Sequence, residues 1–329
     1  MLIRLIDFFT PLLHFLPPEV SHKIALLSLK LLHAFGWKGV PNNQEPLDVL
    51  NMRFGNRLGL AAGLDKNGDY LEPLSKLGFS FIEVGTVTPR PQPGNPKPRL
   101  FRFSKDQVLI NQMGFNNKGV DYLVEKLKRV SLDCKLGISV GKNFDTPNEN
   151  ALEDYLNCLI KVYKYADYVA INISSPNTKD LRELQSEDHL KILLNGLTEQ
   201  RVKLEKHFGY KPFLVKVSPN LTKEQVELMS QVIKSNEIDG LICTNTSNIH
   251  EYEPRGAGMS GMNLLTISNE VLSQFRELLG RDFPIIASGG VMDGSSYESK
   301  IVCGADLVQV YTGIIFNGPG LIEKLANKT

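Results

Sequence analysis

The chain has 329 residues, 42% of them hydrophobic, and a formal net charge of +1, a composition typical of a soluble globular protein that can bury a large core. The near-neutral charge gives no reason to expect a nucleic-acid partner. Four cysteines, widely separated and without a CxxC pair, argue against a metal site or a disulfide framework and indicate a reducing compartment.

The first predicted elements are two short helices. Residues 1–16 are mostly apolar, Pro17 and Pro18 interrupt them, and residues 19–35 resume a helical pattern with a wide apolar face. Each segment is too short to span a bilayer, and neither carries the cleavage site of a signal peptide. Two interpretations stay open: a hairpin packed on the main domain, or a monotopic, membrane-facing hairpin with an apolar groove between its helices.

After Trp37 the sequence repeats a short apolar run that ends in Gly, Ser, Thr or Asn and is usually followed by a helical stretch. Eight such β-α units predict an α/β fold of the (β/α)8 TIM-barrel type, with a doubly wound sheet as the alternative. The expected domains are the N-terminal two-helix hairpin, residues 1–36, and the barrel, residues 37–329. The predicted strands are 58–62, 81–85, 136–140, 168–173, 213–217, 240–244, 284–288 and 307–310.

Two long insertions interrupt the repeat, at residues 88–116 after the second strand and at residues 247–263 after the sixth. Both contain Pro or Gly. Long loops of this kind often form active-site lids, so both are expected to cover a site.

Polar residues crowd behind the fourth strand, where Asn172 to Thr178 contain two Asn, two Ser and a Thr around one Pro. Ligands of parallel α/β folds bind at the carboxyl ends of strands. The alternative is a helix N-cap, but the cluster exceeds what capping needs, so a site is favoured. Gly289-Gly290 and Thr312-Gly313 follow the seventh and eighth strands, where barrels commonly bind phosphate.

Two lysines are candidates for the same face of the barrel. Lys216 lies inside an apolar strand and is expected to point into the barrel mouth, where a cation would stabilise negative charge on a cofactor. The alternative is an ion pair within the barrel. Lys66 follows a tight Gly turn and is either an anion-binding group or a solvated lysine. No histidine lies near a strand end, which argues against a Ser-His-Asp hydrolase.

Seven segments carry a family resemblance: AGLDKNG (62–68), EVGTVTPRPQPGNPKPR (83–99), NQMGFNN (111–117), NISSPNT (172–178), TNT (244–246), GMSG (258–261) and QVYTG (309–313). The chain resembles dihydroorotate dehydrogenase nearly from end to end, and specifically the class 2, quinone-linked, bacterial form. The second segment is the most specific of the seven.

The resemblance implies FMN in the barrel mouth and oxidation of dihydroorotate to orotate, a step of de novo pyrimidine (UMP) synthesis, with ubiquinone or menaquinone as the final acceptor. Ser175 would remove the C5 proton of the substrate, while Lys216 stabilises the reduced flavin. Because serine is a weak base, it needs a closed, low-dielectric site and a proton relay through Thr178 and a water near Phe115.

Further site residues follow from the same resemblance. The implied substrate-binding positions are Lys66, Asn111, Gln112, Met113, Gly114, Phe115, Asn172, Asn177, Asn245 and Thr246. The implied FMN-binding positions are Ala62, Gly63, Lys66, Thr86, Ser139, Asn172, Lys216, Thr244, Gly261, Gly290, Tyr311 and Thr312. The chain departs from the family pattern at Ser139, where many class 2 enzymes have Asn, at Lys179-Asp180 in place of Pro-Gly, and at Ala287-Ser288 in place of Gly-Val.

Two features indicate class 2: a serine rather than a cysteine at position 175, and the N-terminal hairpin. The resemblance then implies that the hairpin forms a quinone tunnel lined by His22 and Arg102. We expect a monomer bound peripherally, as a monotopic protein, to the cytoplasmic face of a bacterial membrane, since no transit peptide precedes the hairpin. Two alternatives are an FMN barrel that reduces another pyrimidine with a soluble donor, and a non-catalytic, membrane-tethered barrel that binds a phosphate ligand.

Overall fold

The computed structural model describes residues 2–40 and 46–328, without the side chains of residues 2–5, 8 and 9. Within these ranges eight parallel strands close into a barrel in the order β3-β4-β7-β8-β9-β10-β12-β13, which confirms the predicted (β/α)8 fold. The strands are β1 (Leu47–Val49), β2 (Met52–Phe54), β3 (Leu58–Leu60), β4 (Phe81–Val87), β5 (Leu100–Phe103), β6 (Val108–Asn111), β7 (Lys135–Val140), β8 (Tyr168–Asn172), β9 (Phe213–Val217), β10 (Gly240–Cys243), β11 (Gly258–Gly261), β12 (Ile285–Ser288) and β13 (Leu307–Val310).

Helices surround the barrel and pack their apolar faces against the outer side of its strands. They are α1 (Leu2–Leu13), α2 (Pro18–Ala34), α3 (Leu71–Ser75), α4 (Val120–Leu127), α5 (Ala151–Val162), α6 (Glu187–Phe208), α7 (Lys223–Ser235), α8 (Leu265–Leu279), α9 (Gly294–Val302), α10 (Thr312–Asn317) and α11 (Gly320–Ala326). Helix α7 shows how local sequence sets a boundary, because Thr222 and Gln225 form a capping box at its start.

The amino-terminal half of the barrel interior is filled by side chains. Phe81 and Tyr168 meet edge to face with ring centroids 6.4 Å apart, and both rings are fully buried. Their neighbours Gly59 and Gly137 leave the space, since a Cβ at either glycine would collide with one of the rings. The β1–β2 hairpin closes this end, so the cavity that remains lies at the carboxyl end.

The two predicted insertions pair with each other. Strands β5 and β6 come from the first insertion and β11 from the second, and together they form a three-stranded antiparallel sheet, which we call the lid sheet. Its register sets Asn111 opposite Gly258. The sequence predicted lids in these places but not a shared sheet.

Helices α1 and α2 form the N-terminal hairpin, which packs beside the carboxyl end of the barrel. Arg102 of β5 donates to the carbonyl of His14 at 3.0 Å, and Asp7 accepts from the backbone of Gly320 at 2.8 Å. The outer side of the hairpin is apolar and exposed at Leu12, Phe15, Val20, Ile24, Leu27, Leu31 and Phe35. In the described part of the chain, no helix combines the length and the hydropathy needed to cross a bilayer.

Candidate active site at the carboxyl end of the barrel

A deep pocket of about 1180 Å³, including its open mouth, lies between the barrel, the lid sheet and α2. Most residues predicted for a site meet in it. Those expected to bind substrate are Lys66, Asn111, Met113, Gly114, Phe115, Asn172, Asn177, Asn245 and Thr246, and they are joined by Ser175 and His22. Those expected to bind cofactor are Ala62, Gly63, Thr86, Lys216, Thr244, Gly261, Gly290, Tyr311 and Thr312.

Four predicted residues lie behind the wall rather than in it. Ser139 is fully buried and shares a 2.9 Å hydrogen bond with the hydroxyl of Thr86. Arg102 binds the end of α1, and Gln112 uses its backbone N–H to bind the Arg99 carbonyl at 2.8 Å. Thr178 is buried one turn beyond Ser175. Among the contacts of these four residues, the bond of Ser139 to Thr86 is one that reaches the wall directly.

The amides of the site hold one another in place. Asn177 donates to the side chain of Asn111 at 2.8 Å, and Asn172 donates to the hydroxyl of Thr86 at 2.7 Å. Asn245 donates to Asn172 at 3.3 Å. Since an amide has two donor hydrogens and an acceptor oxygen, each side chain keeps polar capacity for a ligand after these contacts fix its orientation.

Ser175 lies in the loop after β8 with 6% of its surface exposed. Its Oγ accepts a 3.3 Å hydrogen bond from the backbone of Asn177, which leaves the hydroxyl hydrogen available. Among the described residues, the Oγ1 of Thr178 is buried without a hydrogen-bond partner. Helix α6 begins only at Ser186 as its N-cap, so the cap interpretation of this cluster is wrong.

Arg182 was not singled out from the sequence, yet it ties two loops of the site together. Its guanidinium donates to the Ser174 carbonyl at 3.1 Å and to the Thr246 carbonyl at 2.8 Å. Burial lowers the pKa of Arg182 to about 10. The sequence around Arg182 does not indicate this role, because the two carbonyls that it binds belong to residues about seventy positions apart.

Lys66 lines the pocket and donates to the carbonyl of Gly63 at 2.8 Å. Burial, followed by the positive charge of Arg99, lowers the pKa of Lys66 to about 8. The solvated alternative for Lys66 is therefore wrong. His22 lies nearby, with Nε2 2.8 Å from the Leu64 carbonyl, and burial lowers its pKa to about 4. His22 is neutral at pH 7, so it adds no charge beside Lys66.

The hairpin is also linked to the lid by charge. Arg99 donates to Glu19 of α2 at 2.7 Å and to the carbonyls of Pro93 and Asn95 at 2.6 and 3.1 Å. Burial acts to raise the pKa of Glu19, but hydrogen bonds to Arg99 and Lys97 outweigh it and lower the pKa. The carboxylate of Glu19 therefore stays ionised at neutral pH and holds the hairpin to this loop.

Lys216 lies in the barrel mouth and also forms an ion pair within the barrel, so both interpretations from the sequence apply. It lines the pocket, and its Nζ also lies 3.4 Å from the fully buried carboxylate of Glu83. Gln309 donates to the same carboxylate at 2.7 Å and the hydroxyl of Tyr168 donates at 3.2 Å. Lys216 is therefore a cation that lines the pocket, and its counter-ion Glu83 is buried inside the barrel.

One end of the pocket is built from glycines. Gly261, Gly289 and Gly290 have φ between +79° and +107°, and a Cβ at Gly290 would collide with the backbone of Leu265. Backbone without side chains can approach an anion closely. Gln309 adds a buried Oε1 that has no partner among the described residues. These residues fit a planar, phosphorylated cofactor that presents hydrogen-bonding edges.

Several wall residues were not predicted. The lid sheet contributes Leu100, Leu109 and Ser260, and the barrel side contributes Ala61, Leu264, Ser288, Val291 and Gln309. The lid residues carried no local signal because the pairing of β6 with β11 joins positions about 150 residues apart. Across the described ranges, His, Cys, Asp and Glu side chains form no group that could hold a metal ion.

Comparisons with known proteins point to one family. The sequence model of the family described as Dihydroorotate dehydrogenase matches residues 46–328. A protein of Aromatoleum aromaticum named Dihydroorotate dehydrogenase (quinone) is 46% identical over 329 residues, covering 97% of this chain and 93% of the relative. A protein of the same name from Acinetobacter baylyi is 46% identical over 95% of this chain and 96% of the relative.

Solved structures agree at the level of the fold. The crystal structure of DHODH from Eimeria tenella in complex with ferulenol superposes with a TM-score of 0.86 at 34% identity, over 94% of this chain and 90% of that chain. The ligand-free form from the same organism gives a TM-score of 0.84 at 35% identity, over 94% of this chain and 93% of that chain.

Proposed function

The chain belongs to the dihydroorotate dehydrogenase family, in its quinone-dependent bacterial form, and from this premise we propose how its pocket works. The protein is an oxidoreductase that converts dihydroorotate to orotate in pyrimidine biosynthesis, with a flavin and a quinone as electron carriers. The assignments below concern the flavin, the individual residues and the membrane.

We propose that the flavin is FMN and that its phosphate lies against Gly261, Gly290 and Thr312. The glycines there have positive φ and line the pocket, so their backbone can approach an anion, which supports a phosphorylated flavin. The bound flavin supplies the acceptor for the hydride that leaves the substrate. Lys216 places a positive charge at the floor of the pocket, where it stabilises negative charge.

The substrate side of the pocket suits a pyrimidine that bears a carboxylate. Asn111, Asn172, Asn177 and Asn245 offer alternating donors and acceptors that match the N–H and C=O groups of the ring. Lys66 is the cation on this wall and is proposed to bind the carboxylate. The amide contacts already in place orient these groups before a ligand arrives, which reduces the entropy lost on binding.

Ser175 is proposed as the base that takes the C5 proton. Its Oγ is nearly excluded from solvent, and burial of this kind strengthens the local electrostatic interactions that a weak base needs. Thr178, with a buried hydroxyl that lacks a partner among the described side chains, is proposed to carry the proton onward through a water beside Phe115.

The hairpin is proposed to be the quinone and membrane side of the molecule. Many of its apolar residues are exposed, for example Phe15 and Phe35 at 87% each. His22 lies between this surface and the pocket, and Arg102 fixes the turn of the hairpin. A monomer bound to the cytoplasmic face of the membrane through this surface accounts for the arrangement.

One observation carries these assignments: Ser175, four amides and Lys66 share a single pocket with Lys216 and the glycine loops. The test is spectroscopic. Purified protein is expected to be yellow, to bleach when dihydroorotate is added without oxygen, and to regain its colour with a ubiquinone analogue but not with NAD. A yellow protein that dihydroorotate does not bleach would overturn the assignments.

A further inference from the structure

Lys300 is a buried lysine that the mechanism above does not use. It lies on α9 and has no exposed surface. Its Nζ donates to the Oγ of Ser268 on α8 at 2.5 Å. Burial lowers the pKa of Lys300 to about 7. A buried ammonium without an ionic partner is costly, which favours the neutral amine, and a negative charge nearby would restore the charged form.

No carboxylate of the described residues provides that charge. The ionisable groups near Lys300 are two thiols, Cys243 at the end of β10 and Cys303 just after α9, and burial raises the pKa of Cys243 to about 12, so this thiol is uncharged at neutral pH. Arg276 of α8 acts on the same Cys243 thiol, and it is itself paired with Asp306. By contrast, three other buried cations face a carboxylate: Lys216 faces Glu83, Arg201 faces Asp239 and Arg99 faces Glu19.

The hydrogen-bonded partner of Lys300 leads directly to the glycine loop. Besides accepting from Lys300, the Oγ of Ser268 has two carbonyl acceptors within reach of its one hydrogen, Gly289 at 3.1 Å and Leu265 of its own helix at 3.0 Å. Gly289 and Gly290 both line the pocket, and a Cβ at Gly289 would press on Leu264 and on Ser268 itself. Thus one serine separates the Lys300 ammonium from the loop proposed to hold the phosphate.

We propose that Lys300 is the buried counter-charge of the cofactor phosphate and a positioning residue for the Gly289-Gly290 loop, acting through Ser268. The inference rests on the proposed function, because it requires a phosphorylated flavin in the pocket. Lys300 does not touch the phosphate. It favours a dianion at the loop over a neutral group through its charge, and it fixes the loop through the serine.

The test compares FMN with riboflavin, which lacks the phosphate. Holoenzyme is equilibrated with mixtures of the two flavins, desalted, and its flavin content is separated and quantified, so that the preference for FMN is read without any turnover. For Lys300→Met, which keeps the length of the side chain and removes its charge, we expect the preference to fall by about tenfold. Lys300→Arg is expected to keep most of the preference.

The matched control is Lys142→Met. Lys142 is also a buried lysine at this end of the barrel, but its Nζ donates to the Thr146 carbonyl at 2.8 Å and does not contact the glycine loop. Its substitution is expected to leave the flavin preference unchanged. If Lys300→Met does not fold, Ser268→Ala tests the same link and is expected to lower the preference more modestly.

An FMN preference that is unchanged in Lys300→Met, or in Ser268→Ala where it replaces that variant, would overturn the inference. So would an equal fall in Lys142→Met, or a loss of both flavins in equal proportion, because either result would indicate a general structural role. Wild-type protein without any flavin would instead contradict the proposed function. The two failures are therefore distinguishable.

Discussion

A serine hydroxyl is a poor base in water, so Ser175 depends on its surroundings more than any other residue of the site. The chain supplies an almost dry position, one backbone donor to Oγ and a neighbouring buried hydroxyl at Thr178. These features favour proton transfer along a fixed path. A substitution at Ser175 should therefore affect proton removal without affecting flavin binding.

Replacing Ser175 with alanine is expected to leave the flavin bound, because the glycine loops and Lys216 lie elsewhere in the pocket. Bleaching of the flavin by dihydroorotate should slow by about a hundredfold to ten-thousandfold, the usual range for loss of a general base. Stopped-flow absorbance under anaerobic conditions measures the rate. A slowing of less than tenfold would mean that another group takes the proton.

The pKa of Lys66 predicts how ligand affinity changes with pH. Burial lowers this pKa to about 8, so in the ligand-free protein Lys66 is an ammonium at pH 6 and mostly neutral at pH 9.5. An anionic ligand binds the charged form, and the dissociation constant for orotate should therefore rise by up to about tenfold for each pH unit above 8. Titration of the flavin absorbance with orotate gives the constant.

The control for this titration is Lys66→Met, which should bind orotate weakly and with a much flatter pH dependence. A dissociation constant that stays level between pH 7 and 9.5 in the unmodified protein would show that Lys66 does not bind the carboxylate.

At the scale of elements, ion pairs of Glu19 with Arg99 and Lys97 join the hairpin to the first insertion. Arg99 joins Glu19 of α2 to the carbonyls of Pro93 and Asn95, and Asn95 donates to the Asn177 carbonyl at 3.4 Å. The side chains of Arg99 and Glu19 are only 9% and 21% exposed. A contact this sheltered is screened less by solvent than an ordinary surface pair.

Glu19→Gln removes the charge that Arg99 faces while keeping the shape of the side chain. We expect faster hydrogen exchange in α2 and slower turnover with a quinone, but little change in the rate at which dihydroorotate bleaches the flavin. Lys97→Met is the control, since Lys97 also pairs with Glu19 but is 61% exposed and should contribute little. Equal effects of the two substitutions would rule out a special role for Arg99.

The barrel strands were predictable and the lid sheet was not, for physical reasons. A strand covered on both faces reads as a continuous apolar run, and β8, for instance, is buried at all five positions. In the lid sheet, β5 is only half-buried along its length, and its pairing partners cannot be read from local pattern. Helix α4 begins at Val120, after a turn in which the side chain of Asn117 accepts from the backbone of Gly119.

The site residues likewise differ in whether the local sequence reveals them. The cluster from Asn172 to Thr178 was visible because its polar residues interrupt an apolar strand. Arg182 and Lys300 were not, since a single basic residue on a loop or helix is usually a solvated one. The individual residue roles and the domain boundary at residue 36 remain predictions, to be decided by the experiments described here.

At the scale of the whole molecule, the barrel has its own core and the hairpin is an addition to it. The cluster that fills the amino-terminal half of the barrel, around Phe81 and Tyr168, contains no residue of the hairpin. The hairpin does add Leu26 and Leu29 to the larger core outside the barrel. Its removal should therefore weaken the protein without abolishing its fold.

Deletion of residues 1–36 is expected to give a yellow protein that dihydroorotate still bleaches, with slow recovery by a quinone and no binding to phospholipid vesicles. Circular dichroism checks the fold, and vesicle sedimentation checks membrane binding. If the shortened protein still sediments with vesicles, the membrane contact lies on another surface.

The lid sheet has a consequence for recombination between relatives. Its three strands come from two insertions that are far apart in the chain, and the side chain of Asn111 donates to the Gly258 carbonyl across the seam at 2.9 Å. A chimera that exchanges only one insertion would therefore join strands of different parentage beside Asn111, an amide proposed to bind the substrate. The two insertions therefore have to be exchanged together when the substrate specificity of this barrel is changed.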